Sequence, residues 1–378
     1  MIKIPLIKPD LPKLNRIEKD FRRILDSGKI SNFGRYLSIF EKELSSYLDT
    51  EVSLVSSGTT GLILALQAIG VSLGKKVILP SFTFMATAQA ILYAGGEPVF
   101  CDIDEDMTLS LRDLEFLLEK HSDIFAVLGV HTFGLPCKVK EINKIVEDFS
   151  KRYNRPIHII YDSAHALGAE FEGKKIGCFG DAEVFSLSVT KPLVSVEGGV
   201  VSSKNSKLIK KINNMRNYGI GKNYNTYYPG LNSKMSEFHA IIGLYNLRRF
   251  GSLLRQRQTK ARYYLDKIKR LTSFEPQKVY SDKIIHTYKD FTILIPKKLK
   301  NKRTKIMYFL QNKGIETRTY FYPPLHQQRF FRKFSNRKLP LTEDISQRVI
   351  TIPFYASINQ KEMDYVVKKL KEAERRFL

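Results

Sequence analysis

The side chain best suited to covalent chemistry is Lys191, in the stretch Phe185-Ser186-Leu187-Ser188-Val189-Thr190-Lys191. Its neighbours are apolar or carry hydroxyl groups, and none of them is charged. A lysine in a dry site loses basicity, and its neutral amine can then form a Schiff base with a carbonyl compound. A lysine on a turn before Pro192 would fit this stretch equally well, so the stretch alone leaves both interpretations open.

A second stretch could bind an anion: Val55-Ser56-Ser57-Gly58-Thr59-Thr60-Gly61, which ends a predicted strand and opens a predicted helix. The free amides and the dipole at a helix start favour a phosphate. Gly58 would let the backbone approach closely, and Thr59 and Thr60 would add hydroxyl donors. Ser, Thr and Gly before a helix often only cap it, and this alternative remains open.

A third stretch places a carboxylate at the end of a buried strand: Ile157-His158-Ile159-Ile160-Tyr161-Asp162. A carboxylate in such a position is costly to bury unless it is paired, and a protonated pyridine nitrogen would be a suitable partner. His165 follows three residues later and could stack on a planar ring. As alternatives, Asp162 could cap a helix and His165 could be a satisfied core histidine.

The order of these three stretches is more specific than any one of them. A phosphate cradle comes first, then an acid, then a lysine 29 residues after the acid. Pyridoxal 5'-phosphate (PLP) needs a phosphate anchor, a carboxylate at its ring nitrogen and a lysine at its aldehyde. The sequence therefore predicts a PLP site built on Gly58, Asp162 and Lys191.

The elements that must position these residues alternate between short β-rich runs and helical stretches from residue 53 onward. This alternation predicts βα units and a parallel or mixed sheet covered by helices, in which ligands gather at the carboxyl ends of the strands. Helical periodicity appears at 17–27, 36–48, 235–271 and 363–374. We expect an N-terminal arm and large α/β domain over 1–245, and a small C-terminal α+β domain over 246–378.

Several longer stretches make the chain resemble the DegT/StrS-type family of PLP-dependent nucleotide-sugar aminotransferases over nearly its whole length. These stretches are Gly58-Thr59-Thr60-Gly61-Leu62, Pro80 to Ala88, Asp162 to Ala169, Gly180 to Lys191, Gly230 to Ser236 and Tyr322-Pro323-Pro324-Leu325-His326. The resemblance implies the type I aminotransferase fold, like that of aspartate aminotransferase. It also implies a homodimer whose active sites lie at the subunit interface.

The resemblance also implies residue roles. Lys191 would form the Schiff base with PLP and move the proton, while Asp162 would keep the pyridine nitrogen protonated. Phe84 would stack on one face of the ring and His165 would pack near the other. The phosphate would be bound by Gly58, Thr59, Thr60 and Ser186, with Asn232 reaching the phosphate of the neighbouring subunit. The substrate would meet Ser188, Lys234, Tyr322 and His326.

The implied reaction moves an amino group, with glutamate as the usual donor, onto a nucleotide-diphosphate keto-deoxy-sugar. Such amino sugars commonly enter surface polysaccharides, O-antigens among them, or glycosides. Two residues depart from the family's pattern. Ser188 stands where many members have His, which leaves that substrate contact open, and Lys234 replaces a frequent Arg, which weakens the case for a bidentate diphosphate clamp.

Two other functions are considered. A PLP-dependent sugar 3-dehydratase of the same family would carry His in place of Lys191, and some use four cysteines for an iron–sulfur cluster; this chain has Lys191 and three cysteines. A regulatory protein on the same fold, able to bind nucleic acid, would lack a cofactor residue or carry a basic tail or recognition helix. Neither feature is visible.

Composition sets further bounds. Lys and Arg number 62 against 38 Asp and Glu, a net charge of +24. We favour Lys-rich solvated faces as its explanation over an anionic partner, and a diphosphate substrate would account for only part of it.

Cys101, Cys137 and Cys178 form no C-x-x-C pair, so we expect reduced structural cysteines and no metal site. Without an apolar run near 20 residues or a signal peptide, we expect no membrane or nucleic-acid partner and a cytoplasmic location. His121, His131, His158, His239 and His286 are expected to be structural.

Overall fold

Seven strands form one mixed sheet in the computed structural model, which describes residues 3–31 and 33–378. They are short and almost wholly buried, as expected for strands that are covered by helices on both faces. Their order is β1-β9-β8-β5-β4-β2-β3, and β9 alone among them runs antiparallel to its neighbours. The strands are β1 (Glu51–Val55), β2 (Lys76–Pro80), β3 (Glu97–Cys101), β4 (Ile124–Val130), β5 (His158–Asp162), β8 (Ala182–Ser186) and β9 (Gly199–Ser203).

Two smaller sheets complete the β-structure of the described residues. One contains β6 (Glu170–Phe171), β7 (Lys174–Lys175) and β11 (Ile284–Ile285), and the other contains β10 (Glu275–Pro276), β12 (Phe291–Leu294) and β13 (Val349–Ile352).

Helices cover both faces of the large sheet. On one face, α3, α4 and α7 supply the apolar cluster that contains Leu64, Ile91 and Ile212. On the other, α2, α5, α6 and the start of α8 supply the cluster around Phe40, Leu117 and Phe250. The helices are α1 (Leu14–Ser27), α2 (Arg35–Leu48), α3 (Gly58–Ile69), α4 (Met85–Tyr93), α5 (Leu111–Lys120), α6 (Val139–Arg152), α7 (Ser206–Met215), α8 (Glu237–Leu271), α9 (Arg303–Asn312), α10 (Pro340–Arg348) and α11 (Gln360–Phe377).

The 35-residue helix α8 links the two parts of the chain. Its early residues, such as Leu244, join the core of the large sheet, whereas Ala261 and Tyr264 join a separate cluster with β12, β13, α9 and α11. The predicted division between residues 245 and 246 therefore falls inside one continuous helix, and the domain bounds stay a prediction. Among the described residues, no helix combines the length and the apolar character that crossing a membrane requires.

Candidate active site

The carboxyl ends of the parallel strands open onto a cavity of about 260 Å³. Asp162 ends β5, Ser186 ends β8, and α3 starts just after β1. The cavity brings together eight of the residues singled out from the sequence. They are Gly58, Thr59, Phe84, Asp162, His165, Ser186, Ser188 and Lys191.

The start of α3 is a built anion site. Ser57 caps the helix: its hydroxyl accepts from the Thr60 amide at 3.1 Å, and its own amide donates to the Thr60 hydroxyl at 3.2 Å. Among the described residues, the amides of Gly58 and Thr59 have no acceptor. These two donors, at the positive end of the helix dipole, suit a phosphate.

Gly58 is required by close packing rather than by an unusual backbone angle. A Cβ atom at this position would lie 3.0 Å from the Cβ of Ser186 and 3.3 Å from its Cα. The start of α3 therefore lies directly against the end of β8, and this contact brings the Ser186 hydroxyl to the same end of the cavity as the free amides.

Asp162 is a buried carboxylate, 7% exposed, without an ion-pair partner in the described part of the chain. The Thr87 hydroxyl donates to its Oδ2 at 2.8 Å, and the Ala164 amide donates to its Oδ1 at 3.1 Å. Burial raises the pKa of Asp162, and the two hydrogen bonds oppose this rise. Each oxygen retains a lone pair, so the site can still accept a cationic N–H from the cavity.

Beneath Asp162 lies a fully buried histidine–carboxylate pair. The His131 amide donates to the Asp162 carbonyl at 3.1 Å, and its Nδ1 accepts from the Cys137 amide at 2.9 Å. With Nδ1 accepting this bond, Nε2 of His131 lies 3.4 Å from Oε2 of Glu183. Glu183 also accepts from the Ser163 hydroxyl and from two backbone amides, so both of its carboxylate oxygens have hydrogen-bond donors.

Lys191 reaches the cavity from a turn that follows β8. Its amide donates to the Ser188 carbonyl at 2.9 Å. Burial, followed by the nearby charge of Lys289, lowers the pKa of Lys191 to about 7. At neutral pH a large fraction of this amine is unprotonated, as a nucleophilic lysine requires.

Lys289 belongs to a buried ion pair near Lys191. It is 5% exposed and lies 2.8 Å from Oδ1 of Asp290, which is 4% exposed. Oδ2 of Asp290 has no hydrogen-bond partner in the described part of the chain. The pair is anchored by the Lys289 amide, which donates to the Phe133 carbonyl at 2.9 Å.

Aromatic rings form the walls of the cavity. Phe84 is 50% exposed and lines it, whereas Phe82 is buried in the core and packs edge-on against Phe133 and Phe321. His165 is stacked on Phe133 with centroids 6.4 Å apart. Burial first, and then Lys191 and Lys289, hold the pKa of His165 well below its usual value, so the ring is neutral.

Five of the singled-out residues do not line the cavity. The Thr60 hydroxyl is used within the cap, and it accepts from Ser233 at 2.7 Å. Asn232 is exposed and accepts from Lys234 at 2.7 Å. Tyr322 is 46% exposed and stacks with Arg303. His326 is buried, with Nδ1 2.7 Å from the Ser81 hydroxyl.

Sequence reasoning missed several residues of the site. His131, expected to be structural, lines the cavity, as do Thr83 and Phe321. Glu183 was detectable as a carboxylate inside the otherwise apolar strand β8. The position of Lys289 was not detectable, because it depends on how the segment after β11 packs against residues 133–134.

The residues present fit PLP. The amides beside Gly58 suit its phosphate, the unpaired carboxylate of Asp162 suits its ring nitrogen, and the amine of Lys191 suits its aldehyde. All three lie in one cavity, and the half-exposed ring of Phe84 offers a flat apolar surface beside them.

Comparison with known proteins agrees with this geometry. The model of the DegT/DnrJ/EryC1/StrS aminotransferase family matches residues 13–371. The chain is 29% identical over 374 residues to GDP-perosamine synthase of Vibrio cholerae, covering 97% of this chain and 98% of that protein. It is 30% identical over 368 residues to dTDP-4-amino-4,6-dideoxy-D-glucose transaminase of Shigella dysenteriae, covering 97% of each.

A solved structure with the same fold is Helicobacter pylori PseC, an aminotransferase involved in the biosynthesis of pseudoaminic acid. It superimposes with a TM-score of 0.90 at 25% identity, over 99% of this chain and 100% of that chain. These matches confirm the predicted type I α/β fold, the aminotransferase activity and the PLP cofactor. The chain belongs to the DegT/DnrJ/EryC1/StrS aminotransferase family.

Proposed function

We propose that this protein transfers an amino group, from glutamate, to the keto group of a nucleotide-diphosphate sugar. The observation that carries the proposal is the single cavity that holds an anion site, an unpaired buried carboxylate and a lysine with a pKa of about 7. The relatives named above use GDP- and dTDP-linked sugars, which supports this class of substrate.

The cofactor is held by residues at its two ends. When bound, PLP supplies an aldehyde that condenses with amines and a ring that withdraws electrons. Gly58, Thr59 and Ser186 bind its phosphate, and Thr60 shapes that site through the cap with Ser57. Asp162 would accept the ring N–H, and the resulting charge pair would stabilise the buried carboxylate that otherwise lacks a cation.

Lys191 performs the proton transfer. Because its pKa is about 7, its Nζ can take a proton from the reacting carbon and return it at neutral pH. The ring of His165, whose pKa is held well below its usual value, would pack near one face of the cofactor and would not compete for this proton. Phe84, which lines the cavity, would cover the other face and exclude water from it.

Substrate contacts are proposed for Ser188, Lys234, Tyr322 and His326. Ser188 lines the cavity and is the nearest of these to Lys191 in sequence. Tyr322 is exposed and follows Phe321, which lines the cavity, and this adjacency supports a substrate contact for Tyr322 at the cavity mouth. His326 is held by Ser81, so we expect it to act by fixing the loop that carries Tyr322.

We further propose a homodimer. Asn232 and Lys234 lie outside the cavity of their own subunit, and Asn232 is exposed. In a dimer, Asn232 is available to the phosphate in the neighbouring subunit, as the resemblance to the family implies. Sedimentation of the purified protein is expected to give twice the mass of the 43.6-kDa chain.

The activity is tested by mixing the PLP-loaded protein with glutamate and a panel of UDP-, dTDP- and GDP-linked keto-sugars. We expect one or more of them to be aminated, and Lys191→Ala to abolish turnover while the fold is retained. Lys75→Ala is the control. Lys75 is exposed and lies just before β2, at the amino ends of the parallel strands, whereas the cavity lies at their carboxyl ends. Full turnover by the Lys191→Ala variant would overturn the assignment.

A further inference from the structure

The positive charge of the protein is concentrated in its C-terminal third. Residues 1–245 contain 30 Lys and Arg against 27 Asp and Glu, a net +3, whereas residues 246–378 contain 32 against 11, a net +21. A Lys-rich composition spread evenly over solvated faces would give the longer part the greater share. This uneven distribution differs from the evenly spread, solvated lysines favoured from composition alone, and it gives weight to the alternative of an anionic partner for the C-terminal third.

The densest part lies at residues 297–338, which we name the basic segment. It contains 13 Lys and Arg and a single acid, Glu316. It covers α9 and the loop that leads to α10. Exposed members without an ion-pair partner in the described part of the chain are Lys297, Lys298, Lys302, Lys305, Lys313, Arg329, Arg332, Lys333 and Lys338.

The basic segment leads directly into the active-site cavity. Phe321, within the segment, lines the cavity, and the next residue, Tyr322, is exposed. The guanidinium of Arg303 lies 4.1 Å from the centroid of the Tyr322 ring and donates to the Ser346 carbonyl at 2.5 Å. Because Arg303 is the first residue of α9, the start of that helix lies within the reach of one arginine side chain from Tyr322, which is adjacent in sequence to the cavity-lining Phe321.

We propose that the basic segment attracts the diphosphate group of the substrate and concentrates it at the mouth of the cavity. This inference rests on the proposed function, since that function supplies the dianionic substrate. A surface that carries charge of one sign beside a low-dielectric cleft focuses the electrostatic field, and it raises the local concentration of ions of the opposite charge. At physiological salt the field extends only about 8 Å, so lysines beside the mouth act most strongly.

The test reverses three exposed charges of the basic segment at and just before the start of α9, in the variant Lys298→Glu/Lys302→Glu/Lys305→Glu. Lys302 and Lys305 lie at the start of α9, where an acid is favoured by the helix dipole, so the variant is expected to fold. We expect KM for the nucleotide keto-sugar to rise about fivefold at low ionic strength, with kcat unchanged. In about 0.3 M salt the difference should fall below about twofold.

The control reverses three exposed lysines at the start of another helix, in Lys204→Glu/Lys207→Glu/Lys210→Glu. Lys204 follows β9, whose last residue pairs with the first strand, β1, at Glu51. Lys204 therefore lies at the amino ends of the parallel strands, whereas the cavity lies at their carboxyl ends. The control changes the net charge equally, so an equal rise in KM would show that no local surface is involved and would overturn the proposal.

Binding gives a second readout that does not need turnover. The dissociation constants of UDP, dTDP and GDP are measured with the PLP-loaded protein and both variants. We expect weaker binding of at least one of them only in the variant of the basic segment. The proposal would be overturned if the nucleotide dissociation constants were the same in both variants as in the native protein, or if the native protein bound none of the nucleotides. It would also be overturned if the native protein bound anionic vesicles or single-stranded DNA more tightly than the nucleotides. Absence of transamination with this binding pattern intact would instead count against the proposed function.

Discussion

Two sides of the active-site cavity contribute in different ways. The strand-end side, formed by Asp162, Ser186 and Lys191, presents its polar groups directly to the cavity. A second side comes from the chain after β11, where Phe321 lines the cavity while Lys289 acts through its charge from a buried ion pair. The difference indicates that reacting groups belong to the large sheet, whereas the second side adjusts their pKa and access.

The largest expected effect is on the strand-end side. Asp162→Asn keeps the shape and the Thr87 contact but removes the charge that we propose holds a proton on the ring of PLP. We expect kcat to fall about 10³-fold, within the range for loss of a preorganised charge. Steady-state turnover measures this, and circular dichroism checks the fold.

Asp181→Asn is the matched control for that prediction. Asp181 lies just before β8, at the amino ends of the parallel strands and away from the cavity. Its carboxylate accepts from the Ile159 amide at 2.8 Å. Comparable losses in both variants would mean that Asp162 serves stability only.

A smaller effect is expected at the anion site of the same side. Gly58→Ala places a Cβ 3.0 Å from that of Ser186, so α3 must shift away from β8. Overpacking of this kind costs about 1–3 kcal/mol, which corresponds to roughly tenfold weaker binding of PLP. Equilibrium titration of the apoprotein measures the constant.

Gly251→Ala is the control for the anion site. Gly251 lies within α8, and a Cβ there meets nothing closer than an Arg255 nitrogen at 3.6 Å. An unchanged PLP affinity in Gly58→Ala would show that the close contact does not shape the phosphate site.

The smallest effect is expected on the second side, from charges that touch no reacting atom. The positive charge of Lys289 lowers the pKa of Lys191, and Asp290 raises it. Lys289→Met should therefore raise that pKa above about 7, and Asp290→Asn should lower it. The neutral fraction of Lys191 at pH 7 then falls in the first variant and rises in the second.

The measurement is the pH dependence of acetylation of Lys191 in the apoprotein, followed by mass spectrometry. Opposite shifts of the two midpoints are required, because a general loss of packing would move both in one direction. If the acetylation midpoints of both variants equalled that of the native protein, Lys289 and Asp290 would have no effect on the pKa of Lys191.

The strand-end side was largely predictable from the sequence, because the position of its residues follows from patterns between neighbouring residues in the chain. A β-rich run ending in Asp162 and a strand followed by Ser57-Gly58 each imply a polar group at the carboxyl edge of a sheet. The long helix predicted at 235–271 is also confirmed as α8. These features depend on neighbours in sequence.

The second side was not predictable because its contacts are non-local. Lys289 reaches the site through Phe133, more than 150 positions earlier, and His326 is fixed by Ser81 rather than by the cavity. The partners of Glu183 come from two segments, Ser163 after β5 and the loop at residues 177–179. No periodicity or spacing encodes such pairs, so only the fold reveals them.

The most direct measurement reduces the PLP-loaded protein with borohydride and maps the modified peptide by mass spectrometry. The account predicts one adduct per chain, on Lys191, and its loss in Lys191→Ala. An adduct on Lys289 or on any other lysine, or no adduct at all, would contradict it.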